Sequence, residues 1–411
     1  MRPGSPALDR AARPRVALVI LALVALASIA YAGHSVHGGE DFISGLWAPI
    51  RGLLAGRNAY DPANVAYLRR YAVAPVGPLY TPTALLLHAP LAALGKSAGA
   101  DAMAVLDAVL IWIGVVLLVP PRSARGAGAA AIVGTLLVLS APAQDGISLG
   151  QMASWAFVGL ALTAMTIGSR HSPWVPAVGV VLVSLKPQSA LPILLVLVIL
   201  RAWPVVVRAV LVLAVTSLPG AFLFLRAGGG LHTLHANVAF FGHITQNNLA
   251  DPLNNRVDLL GLSSHLHGPV LSGLGWSLCL FAILGLALAV GWRRGRQYEA
   301  AMRDPVMLSV IGLFLVISLY HQPYDLIMLF PGPLVALSEW VREERLRRDQ
   351  AALIATGATV LGTVLVLRAT GRAHLVAWGL SDRSVRTTYF SLPVILAMVG
   401  AGAALLTTER R

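Results

Sequence analysis

The sequence predicts an all-α polytopic membrane protein, and three observations support this prediction. Hydrophobic residues make up 57% of the 411 positions and charged residues only 12%, which is more apolar surface than a soluble fold can bury. Apolar runs of roughly 16 to 22 residues recur from Val16 to Leu406, each close to the length that a membrane-crossing helix needs. The basic residues stand in short gaps between these runs, as in cytoplasmic loops.

Arginine clusters predict the orientation of the chain. The formal net charge of +13 would suggest nucleic-acid binding in a soluble protein, but here the charge lies beside apolar runs. Clusters of this kind face the cytoplasm in bacterial membrane proteins. We assign to the cytoplasm Arg10, Arg13 and Arg15, Arg122 and Arg125, Arg170, Arg201 and Arg208, Arg293 to Arg296, Arg303, Arg342 to Arg348, and Arg410 with Arg411.

The first apolar run, residues 16–33, is predicted to cross outward behind its basic leader. The leader also resembles a signal peptide with a small-x-small cleavage pattern at Ala30-Tyr31-Ala32; we favour a retained anchor. Residues 34–78 then form a large outer loop. Within it Phe42 to Leu54 and Ala63 to Tyr71 are amphipathic and are predicted to lie along the membrane surface as interfacial helices.

The rest of the single domain, 1–411, is predicted to contain membrane helices in 79–225 and 269–406, giving roughly 11–12 in all. Residues 226–268 form a second outer loop, a possible lid. The stretch 79–94 contains Pro82 and Pro90 and supplies one crossing too many before cytoplasmic Arg122. We therefore predict a partial or re-entrant helix there, buried by protein. The later helix pairs are 127–142 with 151–168, 174–186 with 188–200, 209–225 with 269–291, 305–320 with 325–340, and 351–368 with 388–406.

Polar side chains at membrane depth are costly and therefore mark functional hypotheses. The first pair, Glu40-Asp41, follows the first helix at the membrane boundary. A carboxylate there can take a proton from an incoming hydroxyl, which makes Asp41 and Glu40 the candidate catalytic residues. The alternative is that Asp41 only caps the helix that follows.

Lys186 is one of two lysines among 31 basic residues and is followed by Pro187 and Gln188. A compact ammonium there suits a phosphate, whereas the alternative is a snorkelling anchor that reaches the head groups. Gln151 opens a helix and can donate to a sugar or phosphate oxygen, although an ordinary first-turn residue fits the spacing equally well.

The short turn from Tyr320 to Asp325 is dense in polar and aromatic groups. His321 is a candidate phosphate ligand or proton carrier with Asp325 as its orienting partner; the alternative is an interhelical polar network. In the second outer loop, Thr245 to Asn248 and Asp251 to Asp258 are candidate substrate contacts. The histidines of that loop match no metal motif, and we find no P-loop, dinucleotide fingerprint or zinc signature.

Five segments in order resemble glycosyltransferase family 87. They are Glu40-Asp41-Phe42 with Leu54 to Asp61, Leu79-Tyr80-Thr81-Pro82-Thr83-Ala84-Leu85-Leu86-Leu87 with Ala89-Pro90-Leu91, Gly150-Gln151, Lys186-Pro187-Gln188, and Pro323-Tyr324-Asp325-Leu326. Two positions depart from the family pattern, because Thr81 replaces a usual proline and Thr245 to Leu249 matches only loosely.

The resemblance implies a type C glycosyltransferase fold in the bacterial cytoplasmic membrane, with the active site on the extracytoplasmic side. It implies a polyprenyl-phosphate sugar donor, of which we favour the mannose form, and a glycolipid or polysaccharide acceptor. Donor or substrate contacts are then expected at Lys186, Gln188, Gln151, His321, Tyr324, Asp325 and Tyr80. We expect no cofactor and no obligatory metal, although Glu40, Asp41 and Asp325 could hold one if they converge.

Two other functions remain open at this stage. A transporter or lipid flippase would also place polar residues at membrane depth, but it usually shows two similar halves, and none are visible here. The second of these functions is that of a noncatalytic partner in an envelope complex. It predicts that the Asp41→Asn substitution leaves the function of the protein unchanged.

Overall fold

The computed structural model describes residues 6–34, 39–58, 61, 64, 80–168, 172–236, 239, 256–259, 261–262, 298–318, 322–377 and 390–407. Within these ranges every regular element is helical. The prediction of an all-α protein is therefore confirmed for the described part of the chain. The predicted surface helix at Ala63 to Tyr71, apart from Asn64, lies outside it, as do the candidate contacts Thr245 to Asn248, residues 251–255 of the candidate contacts Asp251 to Asp258, and His321.

The described helices follow one another along the chain, some of them directly and others across stretches that lie outside the described residues. They are α1 (Pro6–His34), α2 (Glu40–Phe42), a π-helical turn (Ile43–Trp47), α3 (Ala48–Leu54), α4 (Pro82–Ala93), α5 (Lys96–Leu118), α6 (Ala124–Leu139), α7 (Ala141–Leu149), α8 (Ala153–Thr166), α9 (Trp174–Ser184), α10 (Pro187–Ile199), α11 (Trp203–Arg226), α12 (Tyr298–Arg303), α13 (Pro305–Ile317), a 3-10 helix (Pro323–Leu329), α14 (Pro331–Glu343), α15 (Arg348–Ala377) and α16 (Leu392–Thr407).

Local sequence explains where many of these helices begin. The side chains of Thr81, Ser123 and Ser140 each accept a backbone N–H in the first turn of the helix that follows. Asp304 does the same, accepting from the next two helical N–H groups at 2.9 and 3.1 Å. Such caps satisfy backbone donors that have no partner within the helix. Because caps and prolines recur, the apolar sequence is divided into many short helices.

Four described helices are long and apolar enough to cross a membrane: Arg15–His34, Lys96–Leu118, Trp203–Arg226 and Arg348–Val366. The pair α6 and α7, bent by 60° at Ser140, counts as a fifth if it forms one broken span. Six shorter apolar helices of 10–17 residues accompany them. The chain is thus a multi-pass membrane protein, while the total of 11–12 spans stays a prediction.

The stretch predicted to be re-entrant forms α4, which has 12 residues. At 1.5 Å per residue it is about 18 Å long, well short of a hydrocarbon core of about 30 Å. The helix carries Pro90 in its interior and packs against α11 and the π-helical turn. Its length agrees with a partial crossing, and its path through the bilayer stays a prediction.

A second hydrophobic core surrounds the helical run 40–54. Every residue from Phe42 to Ile50 is buried, because α4 and α5 pack against this run. The amphipathic pattern predicted one exposed face along Phe42 to Leu54, and only Arg51 and Leu54 are exposed there. This run is packed inside the protein along most of its length, and Asp41 lies at its start. Its position relative to the membrane surface stays a prediction.

Candidate active site

The candidate site is assembled from breaks between helices. Asp41 lies at the start of the 40–54 run, Tyr80 precedes α4, Gln151 separates α7 from α8, and Lys186 separates α9 from α10. Asp325 lies in the 3-10 helix. Polar side chains collect at such breaks because the interrupted backbone already needs hydrogen-bond partners there.

Gln151 joins Asp41 to Tyr80. Its amide Nε2 donates to Asp41 Oδ2, and its Oε1 accepts from the Tyr80 hydroxyl at 2.9 Å. Tyr80 and Gln151 are both buried, whereas Asp41 remains partly exposed. Because the hydroxyl of Tyr80 fixes the amide oxygen, the amide nitrogen faces the carboxylate. Asp41 is therefore held in one orientation with an exposed side.

Gly150 brings this arrangement together. It ends α7 in a left-handed conformation with φ of 71°, which favours glycine. A Cβ at this position would stand 2.6 Å from Cβ of Phe42, so the turn between α7 and α8 packs directly on the start of the 40–54 run. The backbone N–H of Gly39 adds a hydrogen bond to the Ser148 carbonyl at 3.1 Å.

The alternative role of Asp41 as a helix cap is wrong. The helix begins at Glu40, its N-cap is Gly39, and no side chain caps it. Burial raises the pKa of Asp41 above its usual value; the hydrogen bond from Gln151 and the charge of Lys186 act against this, and the charge of Glu40 adds to it. A raised pKa brings a carboxylate closer to the working range of a general base.

Lys186 forms a buried ion pair. Its ammonium donates to Oδ1 of Asp325, and the two side chains are 2% and 3% exposed. The Tyr324 ring centroid lies 4.5 Å from Lys186 Nζ, which adds a cation–π contact. The snorkelling alternative is wrong, because a snorkelling lysine extends its ammonium outward. The carboxylate partner of Lys186 comes from a distant segment of the chain.

Asp325 has a second contact that fixes its position. Its Oδ2 accepts the backbone N–H of Gln322 at 3.1 Å, and Gln322 in turn caps the 3-10 helix in a capping box. The predicted contact between this carboxylate and His321 lies outside the described residues; within them the carboxylate holds Lys186. Tyr324 contacts Lys186 and lines one cavity with Gln151, which binds Asp41, so the ion pair and the Asp41 cluster belong to one site.

Three further candidates lie within the described part of the chain. Glu40 is exposed beside Asp41, and Gln188 is partly exposed as the second residue of α10. In the second outer loop, Asp258 forms a buried ion pair with Arg256, Nε to Oδ2 at 2.7 Å. Among the described residues no group of three metal-ligating side chains converges.

Sequence reasoning missed Asp107. This residue lies in the middle of α5, is only 1% exposed, and accepts a hydrogen bond from the Ser154 hydroxyl on α8. It also lines a cavity together with Gln151 and Tyr324. The signal was a lone carboxylate inside an apolar run, which is a functional hypothesis by the same rule that selected the other candidates.

Fold and site together define a multi-pass membrane protein with a charged, largely buried centre built at helix breaks, as expected for an enzyme that handles a polar substrate beside lipid. The chain belongs to glycosyltransferase family 87, whose sequence model matches residues 79–318, more than half of its length. Tyr80, Gln151 and Lys186 lie within the matched region, whereas Asp41 and Asp325 lie outside it. No curated protein and no solved structure matches the chain significantly.

The prediction of the family is thus confirmed. The chain is a membrane glycosyltransferase, which takes a sugar from a donor and passes it to an acceptor.

Proposed function

We propose that this protein transfers a sugar, mannose in the first instance, from a polyprenyl-phosphate donor to a glycolipid or polysaccharide acceptor of the bacterial envelope. The reaction takes place on the outer face of the cytoplasmic membrane. The observation that carries the proposal is that one site contains a partly exposed carboxylate, Asp41, and a buried ammonium, Lys186. Gln151 binds the first, Tyr324 contacts the second, and both line the same cavity.

The proposed reaction is an inverting single displacement. Asp41 takes the proton from an acceptor hydroxyl as its oxygen forms a bond to the anomeric carbon of the donor sugar. The bond between that carbon and the phosphate oxygen breaks on the opposite face, and polyprenyl phosphate leaves with the bonding electrons. Gln151 and Tyr80 support this step by holding Asp41 in one orientation.

Lys186 has the complementary role. The phosphate is a diester with one negative charge in the donor and becomes a monoester with more charge as it leaves. A fixed cation therefore stabilises the transition state more than the bound donor. Asp325 positions Lys186 and offsets its charge while the site is empty. Since a single phosphate is involved, the proposal includes no metal or cofactor.

The decisive assay uses the purified full-length chain with radiolabelled polyprenyl-phosphate mannose and polyprenyl-phosphate arabinofuranose in separate tubes and a lipid extract as acceptor. We expect transfer of label from one donor into the extract, with an inverted anomeric configuration in the product. Asp41→Asn serves as the matched inactive control. Transfer from neither donor by a well-folded protein, or equal transfer by the variant, would contradict the proposal.

A further inference from the structure

A cavity behind the candidate site is lined by groups from four helical elements. Asp107 on α5 and Ser154 on α8 face it, together with Gly146 of α7, Tyr324 of the 3-10 helix, and Gln151. Its volume is about 10 Å³, on a measure by which one water molecule needs roughly 10–15 Å³. The space therefore fits a single oxygen atom with its hydrogens.

Asp107 carries an oxygen that the described part of the chain leaves without a hydrogen bond. Oδ1 accepts from Ser154, whereas Oδ2 is fully buried and has no partner among the described residues. An unsatisfied buried oxygen is costly in an apolar surrounding, more so if it is charged. Native proteins normally satisfy such groups with protein or with a bound ligand.

We propose that this cavity is a subsite for one O–H group, held by Oδ2 of Asp107 beside Gln151. An O–H group both donates and accepts, so it satisfies Oδ2 whether the carboxyl is ionised or protonated. The occupant is a bound water in the free protein, and in the donor complex it is either that water or a hydroxyl of the donor sugar. Because Gln151 lines the same cavity and also holds Asp41, the subsite adjoins the reacting groups. Its use by a sugar rests on the proposed function; its existence does not.

The first test measures melting temperature without substrate, so it is independent of activity. Ser154→Ala leaves Asp107 without its known partner, and Asp107→Val is then added in that background. If nothing else binds Asp107, valine removes an orphaned carboxyl and the double variant melts above Ser154→Ala. We expect the opposite, a lower melting temperature than Ser154→Ala, because the bound water that occupies the cavity in the absence of substrate loses its acceptor. A rise would overturn the proposal.

Asp107→Asn is the matched control, since its amide keeps both an acceptor and a donor for the same occupant. We expect it to melt close to the wild type. A large drop for Asp107→Asn, equal to that of Asp107→Val, would mean that the O–H contact is not what stabilises the site, and would also overturn the proposal.

The second test identifies the occupant with monodeoxy versions of whichever donor the wild type uses. If a donor-sugar hydroxyl enters the cavity, one deoxy donor loses about 10²-fold or more in kcat/KM. Asp107→Val then reduces this discrimination toward unity. If the occupant is water, the discrimination is the same in both proteins while kcat falls in Asp107→Val. Should the wild type transfer neither sugar, the proposed function fails, and the melting series still decides the subsite.

Discussion

Asp41 is the residue on which the proposed chemistry depends. It is the only carboxylate in the described part of the site that is both partly exposed and held by Gln151. A general base needs this combination, because the side chain must be fixed in orientation and still reach the acceptor. Asp325 is also fixed in orientation, but it is buried against Lys186 and does not reach the acceptor. The two carboxylates therefore have different roles.

Asp41→Asn tests the base directly. Asparagine keeps the shape of the side chain and an oxygen that can accept from Gln151, but it cannot take the proton. We expect normal insertion and donor binding, with a loss of at least ~10²-fold in kcat. The measurement is the initial rate at saturating donor. Glu40→Gln, at the exposed neighbour, is the control and should change the rate much less; turnover near the wild-type level for Asp41→Asn would exclude it as the base.

The pH dependence of kcat/KM supplies an independent test. Activity requires ionised Asp41, so it falls as pH falls through the pKa of that group. Burial raises this pKa, Glu40 raises it further, and the hydrogen bond from Gln151 lowers it. Glu40→Gln should therefore move the acidic limb to lower pH, and Gln151→Leu should move it to higher pH. If the acidic limb of the pH profile does not move in these two variants, or moves in the same direction in both, it reports the titration of a group other than Asp41.

Single and double substitutions separate the structural role of Lys186 from its chemical role. Removing the ammonium alone, as in Lys186→Met, leaves Asp325 buried without its partner and should destabilise the protein by roughly 3–5 kcal/mol. Replacing both residues, Lys186→Met with Asp325→Leu, should restore most of the melting temperature, yet turnover should stay low because the departing phosphate has no cation.

Lys186→Arg is the charge-conserving control for this prediction. We expect a folded protein with reduced turnover, since a planar guanidinium does not fit the place of a compact ammonium between Asp325 and Tyr324. Full activity of Lys186→Arg would remove Lys186 from the proposed mechanism.

At the scale of elements, the site depends on how the breaks between helices are packed. The α7–α8 turn contacts the start of the 40–54 run through Gly150 and Phe42, next to Gln151 and Asp41 respectively. The positions of Gln151 and Asp41 therefore depend on how these two segments pack against each other. A change in packing at this contact should disturb catalysis without altering any polar group.

Gly150→Ala is the test of that contact. The left-handed conformation alone costs an alanine about 1–2 kcal/mol, and its Cβ would stand 2.6 Å from Cβ of Phe42. We expect a lower melting temperature and a reduced kcat. Gly128→Ala on α6 is the matched control, because its Cβ meets no atom within 4 Å; it should be neutral or slightly stabilising. Equal rates for both variants would show that the contact does not position the site.

At the scale of the whole molecule, the site and a charged cluster lie at opposite ends of the same helices. The bent pair α6 and α7 runs from Arg125 to the site, and α14 runs from the site to Glu344. Arg125 and Glu344 form an exposed ion pair. An outer site with arginines in the cytoplasm requires such an arrangement, and the orientation of the chain itself stays a prediction.

Topology reporters test this orientation. Fusions after His37 and within Leu231 to Asn255 should read extracytoplasmic, and fusions after Arg125 and Arg296 should read cytoplasmic. Alkaline phosphatase and a cytoplasmic fluorescent protein give opposite signals at each position and so control for expression. A cytoplasmic reading at His37 would put Asp41 on the wrong side for the proposed reaction.

The sequence by itself determined the class of protein and most of the candidate residues. Apolar runs, arginine clusters and helix caps are local features, and a polar residue inside an apolar run stands out without any knowledge of packing. For the same reason Asp41, Gln151, Lys186 and Asp325 could be selected, although Asp107, an equally local signal, was overlooked.

Only the tertiary structure decided which of these residues are partners. Lys186 pairs with Asp325 across 139 residues, and Gln151 holds Asp41 across 110. It also decided that the 40–54 run is buried and that Asp107 faces a cavity. Hydrogen bonds and ion pairs are short-ranged, so they depend on which helices pack together. That packing comes from side-chain shape over distant parts of the chain, which the hydrophobic pattern of any single segment does not specify.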